Sequence, residues 1–124
     1  MDERRPKSIA LIVEDDQDLL ELTAMLLQEG GFDTIECQSA EAALAVMLLR
    51  GEDVTMVFAD IRLSGAMDGV DLASELKMRW PHLNIILTSG NAGERLAHLP
   101  FGVRYMAKPW LPLNVLMAAE RACS

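Results

Sequence analysis

Five short apolar runs, each followed by a polar turn and, in most cases, a stretch of helical periodicity, set the main constraint on this 124-residue chain. The runs are Ser8–Val13, Thr34–Cys37, Val54–Ala59, Ile85–Thr88 and Val103–Met106. They are short, rich in branched residues and mostly continuous, as in strands buried on both faces. Strands of that kind alternating with helices form βαβ units, so the chain predicts a doubly wound α/β domain. Its sheet is parallel and five-stranded, with helices on both faces.

The helical intervals carry their own boundary signals. Leu19, Leu22, Met25 and Leu26 recur at helical spacing, and Gly30-Gly31 supplies a stop. Ser39 is placed to cap a helix containing Ala42 to Leu49, which Gly51 closes. Val70 to Arg79 puts Leu72, Ala73 and Leu76 on one face and a Glu75–Arg79 pair on the other, with Pro81 ending the helix. Asn91–Leu99 is a short fourth helical candidate cut off by Pro100. The last helix is expected to turn Leu113, Leu116 and Met117 toward the core. No repeat, linker or low-complexity stretch divides the chain, so residues 1–124 read as one domain with its core at about 8–122.

Composition excludes several function classes. A hydrophobic fraction of 51% with 24% charged residues fits a folded domain and excludes disorder. A net charge of −8 argues against a nucleic-acid surface, which needs clustered Lys and Arg, and suits a cation site or a basic partner. Met1–Lys7 lacks the apolar segment of a secretory signal. No apolar run approaches the roughly 18 residues of a membrane helix, so a cytoplasmic protein without a membrane partner is expected. Cys37 and Cys123 read as a buried small hydrophobe and a tail thiol. His82 and His98 read as surface residues, and the methionines are expected mostly at core-facing positions.

A parallel sheet brings the carboxyl end of every strand to one edge, where ligands bind in open α/β folds. The sequence places Glu14, Asp15 and Asp16 there after the first strand and Asp60 after the third. Thr88 and Ser89 end the fourth strand and Lys108 follows the fifth. Asp16 reads as a helix cap, a role that Glu14 and Asp15 also suit. Close carboxylates repel, and a divalent cation between them lowers that cost. Oxygen ligands favour Mg2+ or Ca2+ over zinc. Carboxylates, a hydroxyl and an ammonium at one rim suit phosphoryl transfer. Asp60 is the candidate nucleophile, Lys108 and the cation balance the equatorial oxygens, and the hydroxyl donates a hydrogen bond.

An acidic pair after strand one, an Asp after strand three with D-G downstream, Ser/Thr after strand four and K-P after strand five occur here in order. This ordered set, spanning Ser8 to Ala122, resembles the response-regulator receiver domains of two-component signalling. The resemblance implies a flavodoxin-like (βα)5 fold with strand order 2-1-3-4-5. It implies that Asp60 is the phospho-acceptor and that Glu14 and Asp15 are metal-binding acids. The backbone carbonyl of Arg62 would be a further protein ligand to Mg2+. By the same resemblance Thr88 is the switch hydroxyl, Lys108 the family's lysine, and Tyr105 the aromatic that moves between outward and inward rotamers. It also implies a histidine kinase or histidine phosphotransfer protein as donor and a downstream protein target. The face of the fourth helix, fifth strand and fifth helix is the implied contact surface, open also to homodimer formation. No catalysis beyond the chain's own phosphorylation and dephosphorylation is implied.

The chain departs from the family pattern in places. The usual P-x-M-D-G reads S-G-A-M-D-G, with Ser64 for proline and one extra residue before Met67. Trp110 stands after K-P where phenylalanine is common, and the fourth helix lacks a full apolar stripe. The Arg62 side chain has two readings, a pair with Glu14 or a neighbouring acid, or a screen over the phosphoryl group. The chain ends just after the last helix with no output domain, and Met1 favours a stand-alone regulator over a receiver excised from a longer protein. Two rivals keep the same rim. One is a small Mg2+-dependent aspartyl phosphohydrolase, whose second acid at D-x-D is replaced here by Arg62. The other is an interaction module that works without phosphorylation. A dinucleotide-binding domain lacks its G-x-G-x-x-G.

Overall fold

A computed structural model of the chain describes residues 8–123; Met1–Lys7, the side chain of Cys123 and Ser124 lie outside the described residues. Five parallel strands form one sheet in the order β2-β1-β3-β4-β5, the flavodoxin-like arrangement. They are β1 (Ile9–Val13), β2 (Asp33–Cys37), β3 (Met56–Asp60), β4 (Asn84–Ser89) and β5 (Arg104–Ala107). Helices α1 (Gln17–Glu29), α2 (Ala40–Arg50), α3 (Gly69–Arg79) and α4 (Pro112–Cys123) cover the two faces. Central β3 is buried along its whole length, as its unbroken apolar run requires.

Successive residues of each strand point to opposite faces, and this alternation divides the core in two. Leu11, Val57, Ala59, Ile85 and Leu87 face α2 and α3, packing with Met47, Leu72 and Leu76. Ala10, Ile12, Phe58 and Ile86 face α1 and α4, packing with Leu20, Leu27 and Val115. By the same two-residue period Asp60 and Thr88 continue the second face beyond Phe58 and Ile86.

Boundary chemistry follows the sequence closely. The Asp16 side chain accepts the Leu19 N–H and caps α1, while Ser39 accepts the Ala42 N–H and caps α2. Gly30 caps the far end of α1, and Gly31 adopts φ +97°. Glu75 and Arg79 pair at 3.5 Å on the outer face of α3.

Several expectations need correction. The run from Val54 is not all strand, because Gly51–Asp53 makes a 3-10 turn and pairing begins at Met56. Asn91–Leu99 forms a 3-10 segment at Gly93–His98 with no buried residue, so the final helix is α4. That helix buries Val115, Ala119 and Ala122, and leaves Leu113 63% and Met117 42% exposed. Its alanines allow close approach to α1, a stripe that side-chain size alone hides. Likewise α1 buries Leu20, Thr23, Ala24 and Leu27, leaving Leu22 and Met25 outside. Met47 and Met56 are core residues, but Met25, Met78 and Met117 are exposed. Cys37 is a buried free thiol with its pKa raised by burial, and His82 and His98 are exposed.

Candidate functional site

Sheet register builds the rim. Val13 pairs with Ala59, so Glu14 and Asp60 leave adjacent strands side by side. Asp60 pairs directly with Thr88, and Thr88 with Met106. The ladder then continues past the strands, with the Ile61 N–H on the Thr88 carbonyl at 2.9 Å and the Lys108 N–H on the Ser89 carbonyl at 2.9 Å. Lys108 is thereby delivered to the edge that carries both acids.

Its ammonium donates to Asp60 Oδ2 at 2.6 Å and reaches Glu14 Oε1 at 3.4 Å. Burial alone would lower the Lys108 pKa, but the bonds to Asp60 and then Glu14 outweigh it and the pKa is raised. Glu14 and Asp60 are each 6% exposed. Burial pushes the Glu14 carboxyl up to about 7; the Asp16 N–H on its Oε2 opposes this, and the neighbouring Asp60 reinforces it. Two carboxylates thus share one ammonium, leaving negative charge that the protein does not balance. Asp60 Oδ1 accepts the Arg62 N–H at 2.9 Å, which fixes the carboxylate plane.

The acids lie at the floor of an open pocket of about 890 Å³, with Asp15, Arg62, Asn91 and Arg95 on its walls. Asp15 is exposed and its Oδ2 accepts the Ser64 N–H at 3.3 Å. Arg62 is exposed and makes no ion pair among the described residues; of its two readings, the one that pairs it with Glu14 or a neighbouring acid is not met, and Lys108 is the cation beside Glu14. Among the described residues no group of three or more acids, histidines or cysteines is preassembled as a metal cage. The donor set still suits a hard divalent ion, because two buried, facing carboxylates carry charge that Lys108 only partly offsets.

Thr88 is 2% exposed, and its Oγ1 accepts the Trp110 Nε1–H at 3.0 Å. Tyr105 is not brought to it. Tyr105 packs on the α2–α3 side of the sheet, and its hydroxyl donates to the Ser89 carbonyl at 3.1 Å.

The lengthened loop after β3 is held by groups that sequence reasoning missed. Glu41, in the first turn of α2, accepts the Ala66 and Met67 N–H groups at 3.1 Å each. The Glu41 backbone N–H on its own carboxylate, and after it these bonds, hold its carboxyl below the usual range. Gly65 sits at φ +105° against that carboxylate, where a Cβ would meet Glu41 Oε1 at 2.9 Å. Asp68 and Asp71 form a reciprocal cap on α3. Arg95 then reaches from the 3-10 segment to Asp68 at 2.9 and 3.0 Å and to Asp71 at 3.1 Å. Burial works to raise the Asp68 pKa, but the Arg95 bond and the Asp71 N–H bring it below normal. The D-x-x-D spacing signals the cap; no sequence signal points from Glu41 or Arg95 to their partners.

The glycine of D-G has a steric cause. A Cβ on Gly69 would fall 2.8 Å from Ile61 Cα and 2.9 Å from the Asp60 carbonyl carbon. The start of α3 therefore rests on the peptide that follows Asp60, with the Gly69 N–H on the Ile61 carbonyl at 2.8 Å.

The pattern that defines the response regulator receiver domain matches residues 10–119. The transcriptional regulatory protein AruR of Pseudomonas aeruginosa is 36% identical over 116 residues, covering 89% of this chain and 47% of that protein. The response regulator protein FleR of the same organism is 37% identical over 103 residues, covering 81% of this chain and 21% of that protein. The chain thus spans less than half the length of either relative. The receiver domain of NtrX from Brucella abortus superposes with a TM-score of 0.79 at 30% identity, over 92% of this chain and 97% of that one. A match over this span, together with the strand order and the acidic rim, makes the chain a member of the response regulator receiver domain family of two-component signalling.

Proposed function

We propose that the domain accepts a phosphoryl group on Asp60 from a phosphohistidine and uses the modified rim to change its protein contacts. One observation carries the reading: a buried carboxylate at the floor of an open pocket, held at 2.6 Å by Lys108. An Asp60 oxygen attacks phosphorus, the P–N bond breaks, and its electron pair returns to the imidazole nitrogen, which takes a proton. Lys108 then meets the phosphoryl oxygens and the Thr88 hydroxyl donates to one of them. The Arg62 N–H keeps the carboxylate oriented through the step.

Glu14, Asp15, Asp60 and the Arg62 carbonyl are the groups that would hold Mg2+, whose bound charge neutralises carboxylate and phosphoryl oxygens. The donor is a histidine kinase or histidine phosphotransfer protein in the cytoplasm, and the output is a protein target. The chain acts on itself and does not turn over a separate substrate, since the D-x-D acid of a phosphohydrolase is Arg62 here. A shift from mostly resting to mostly active requires about 5.5 kcal/mol of differential stabilisation.

The experiment is incubation with acetyl phosphate and Mg2+ followed by intact-mass measurement. The wild type gains one phosphoryl group and Asp60→Asn gains none. No adduct on the wild type, or an equal adduct on Asp60→Asn, contradicts the proposal.

A further inference from the structure

The Thr88 hydroxyl has a partner in the chain, and it is neither Asp60 nor Tyr105. Trp110 Nε1–H donates to it at 3.0 Å, with Thr88 almost wholly buried. The indole is braced by Phe58, edge-on with centroids 6.0 Å apart at 84°. Phe58 lies two residues before Asp60 on β3 and on the same sheet face. The ring therefore leans on the strand that carries the acceptor and bonds to the neighbouring strand that carries the hydroxyl.

Trp110 also follows Lys108 by two residues. One short segment thus holds Asp60 through Lys108 and Thr88 through Trp110. An indole N–H only donates, whereas a hydroxyl accepts and donates. Moving the Thr88 oxygen to serve a phosphoryl group on Asp60 takes the acceptor away from the indole. Trp110 is half-buried and lines an open groove of about 500 Å³ with Leu19, Leu22 and Pro109. Its N–H can turn to water there, so releasing Thr88 does not strand a buried donor.

We propose that Trp110 is a positioning residue for Thr88: its indole N–H holds the hydroxyl in the resting place and releases it when Asp60 is phosphorylated, carrying the change to the groove beside α1. This rests on the phospho-acceptor reading of Asp60. Tyr105, on the opposite sheet face with its hydroxyl on the Ser89 carbonyl, is placed to answer later or not at all.

The test uses Trp80→Phe, which leaves Trp110 as the sole tryptophan. Mg2+ with beryllofluoride, a phosphoryl mimic, moves Trp110 emission to longer wavelength and raises acrylamide quenching; Asp60→Asn abolishes both changes. Trp110→Phe keeps the ring and removes the donor. It lowers the acetyl phosphate concentration for half-maximal phosphorylation on the order of fivefold, as expected for one lost hydrogen bond. In a Thr88→Ala background the same substitution has no effect, whereas a packing role would act in both backgrounds. If Trp110→Phe unfolds early, Thr88→Ser and Thr88→Val read the same coupling through emission. Ser retains the wild-type response, and Val shows the released spectrum before any mimic is added. A phosphoryl adduct without the emission change, or with half-maximal phosphorylation unchanged or harder to reach in Trp110→Phe, overturns this proposal alone. Absence of any adduct by intact mass overturns the phospho-acceptor reading and this one with it.

Discussion

Lys108 Nζ lies 2.6 Å from Asp60 Oδ2, although Asp60 ends β3 and Lys108 follows β5, strands that are not neighbours in the sheet. Strand β4 stands between them and sets the spacing through two backbone bonds, from Ile61 to Thr88 and from Lys108 to Ser89. The contact is a product of register. It survives as long as the parallel ladder extends one residue past each strand.

Lys108→Ala leaves Glu14 and Asp60 facing each other with no cation, both with side chains 8% exposed. Folding stability at neutral pH in EDTA falls by about 1–3 kcal/mol, less than for a fully enclosed pair because Lys108 is partly solvated. Urea melts check this, and Mg2+ restores part of the loss.

Glu14 gives the pH dependence a definite sign. Its carboxyl titrates near 4.5 when unfolded and about 7 when folded, so the folded state binds the proton more tightly. Its contribution is fully present below about pH 4.5 and is lost as pH rises through about 7, on the order of 3 kcal/mol. In EDTA the wild type loses stability across that window relative to Glu14→Gln. Thermal melts of the two proteins at matched pH read the difference.

Gly69→Ala forces a methyl group onto the Asp60–Ile61 backbone, which no side-chain rotation relieves. A loss of about 2–3 kcal/mol in urea melts follows from overpacking against main chain. Phosphorylation from acetyl phosphate slows as well, because the peptide that shifts is that of Asp60, the proposed acceptor.

Glu41→Gln and Arg95→Ala separate the two restraints on the pocket wall. Glu41→Gln weakens the acceptor for the Ala66 and Met67 N–H groups, and faster hydrogen exchange is confined to residues 62–67. Arg95→Ala frees the 3-10 segment from Asp68 and Asp71, and exchange rises at residues 91–99 with global stability changed by less than about 1 kcal/mol.

What could be read from the sequence follows how local its cause is. The strand-end positions of Glu14, Asp60, Thr88 and Lys108 were legible because each closes an apolar run, and a parallel sheet collects such ends. The Asp16 and Ser39 caps were legible because capping acts over three residues. The buried faces of α1 and α4 were not, since which side of an amphipathic helix is buried depends on how closely a neighbour approaches. Small residues, Ala24 on α1 and Ala119 on α4, mark that contact. The loop from Arg62 to Met67 was opaque for a different reason. It is held by Asp15 and Glu41, separated from it by tens of residues, and no spacing rule connects them. Trp110 showed only as a variation after K-P, and its bond to Thr88 is a tertiary fact.

Reduction of the phosphorylated protein with borohydride, followed by peptide mass mapping, identifies the residue that carries the phosphoryl group. An acyl phosphate on an aspartate is reduced to homoserine, whereas an unmodified carboxylate is not. Homoserine is expected at position 60 alone after treatment with acetyl phosphate and Mg2+, and none without phosphorylation. Homoserine at position 15 or 68 with Asp60 intact, or no conversion in a protein shown by mass to carry phosphate, rules out Asp60 as the phospho-acceptor.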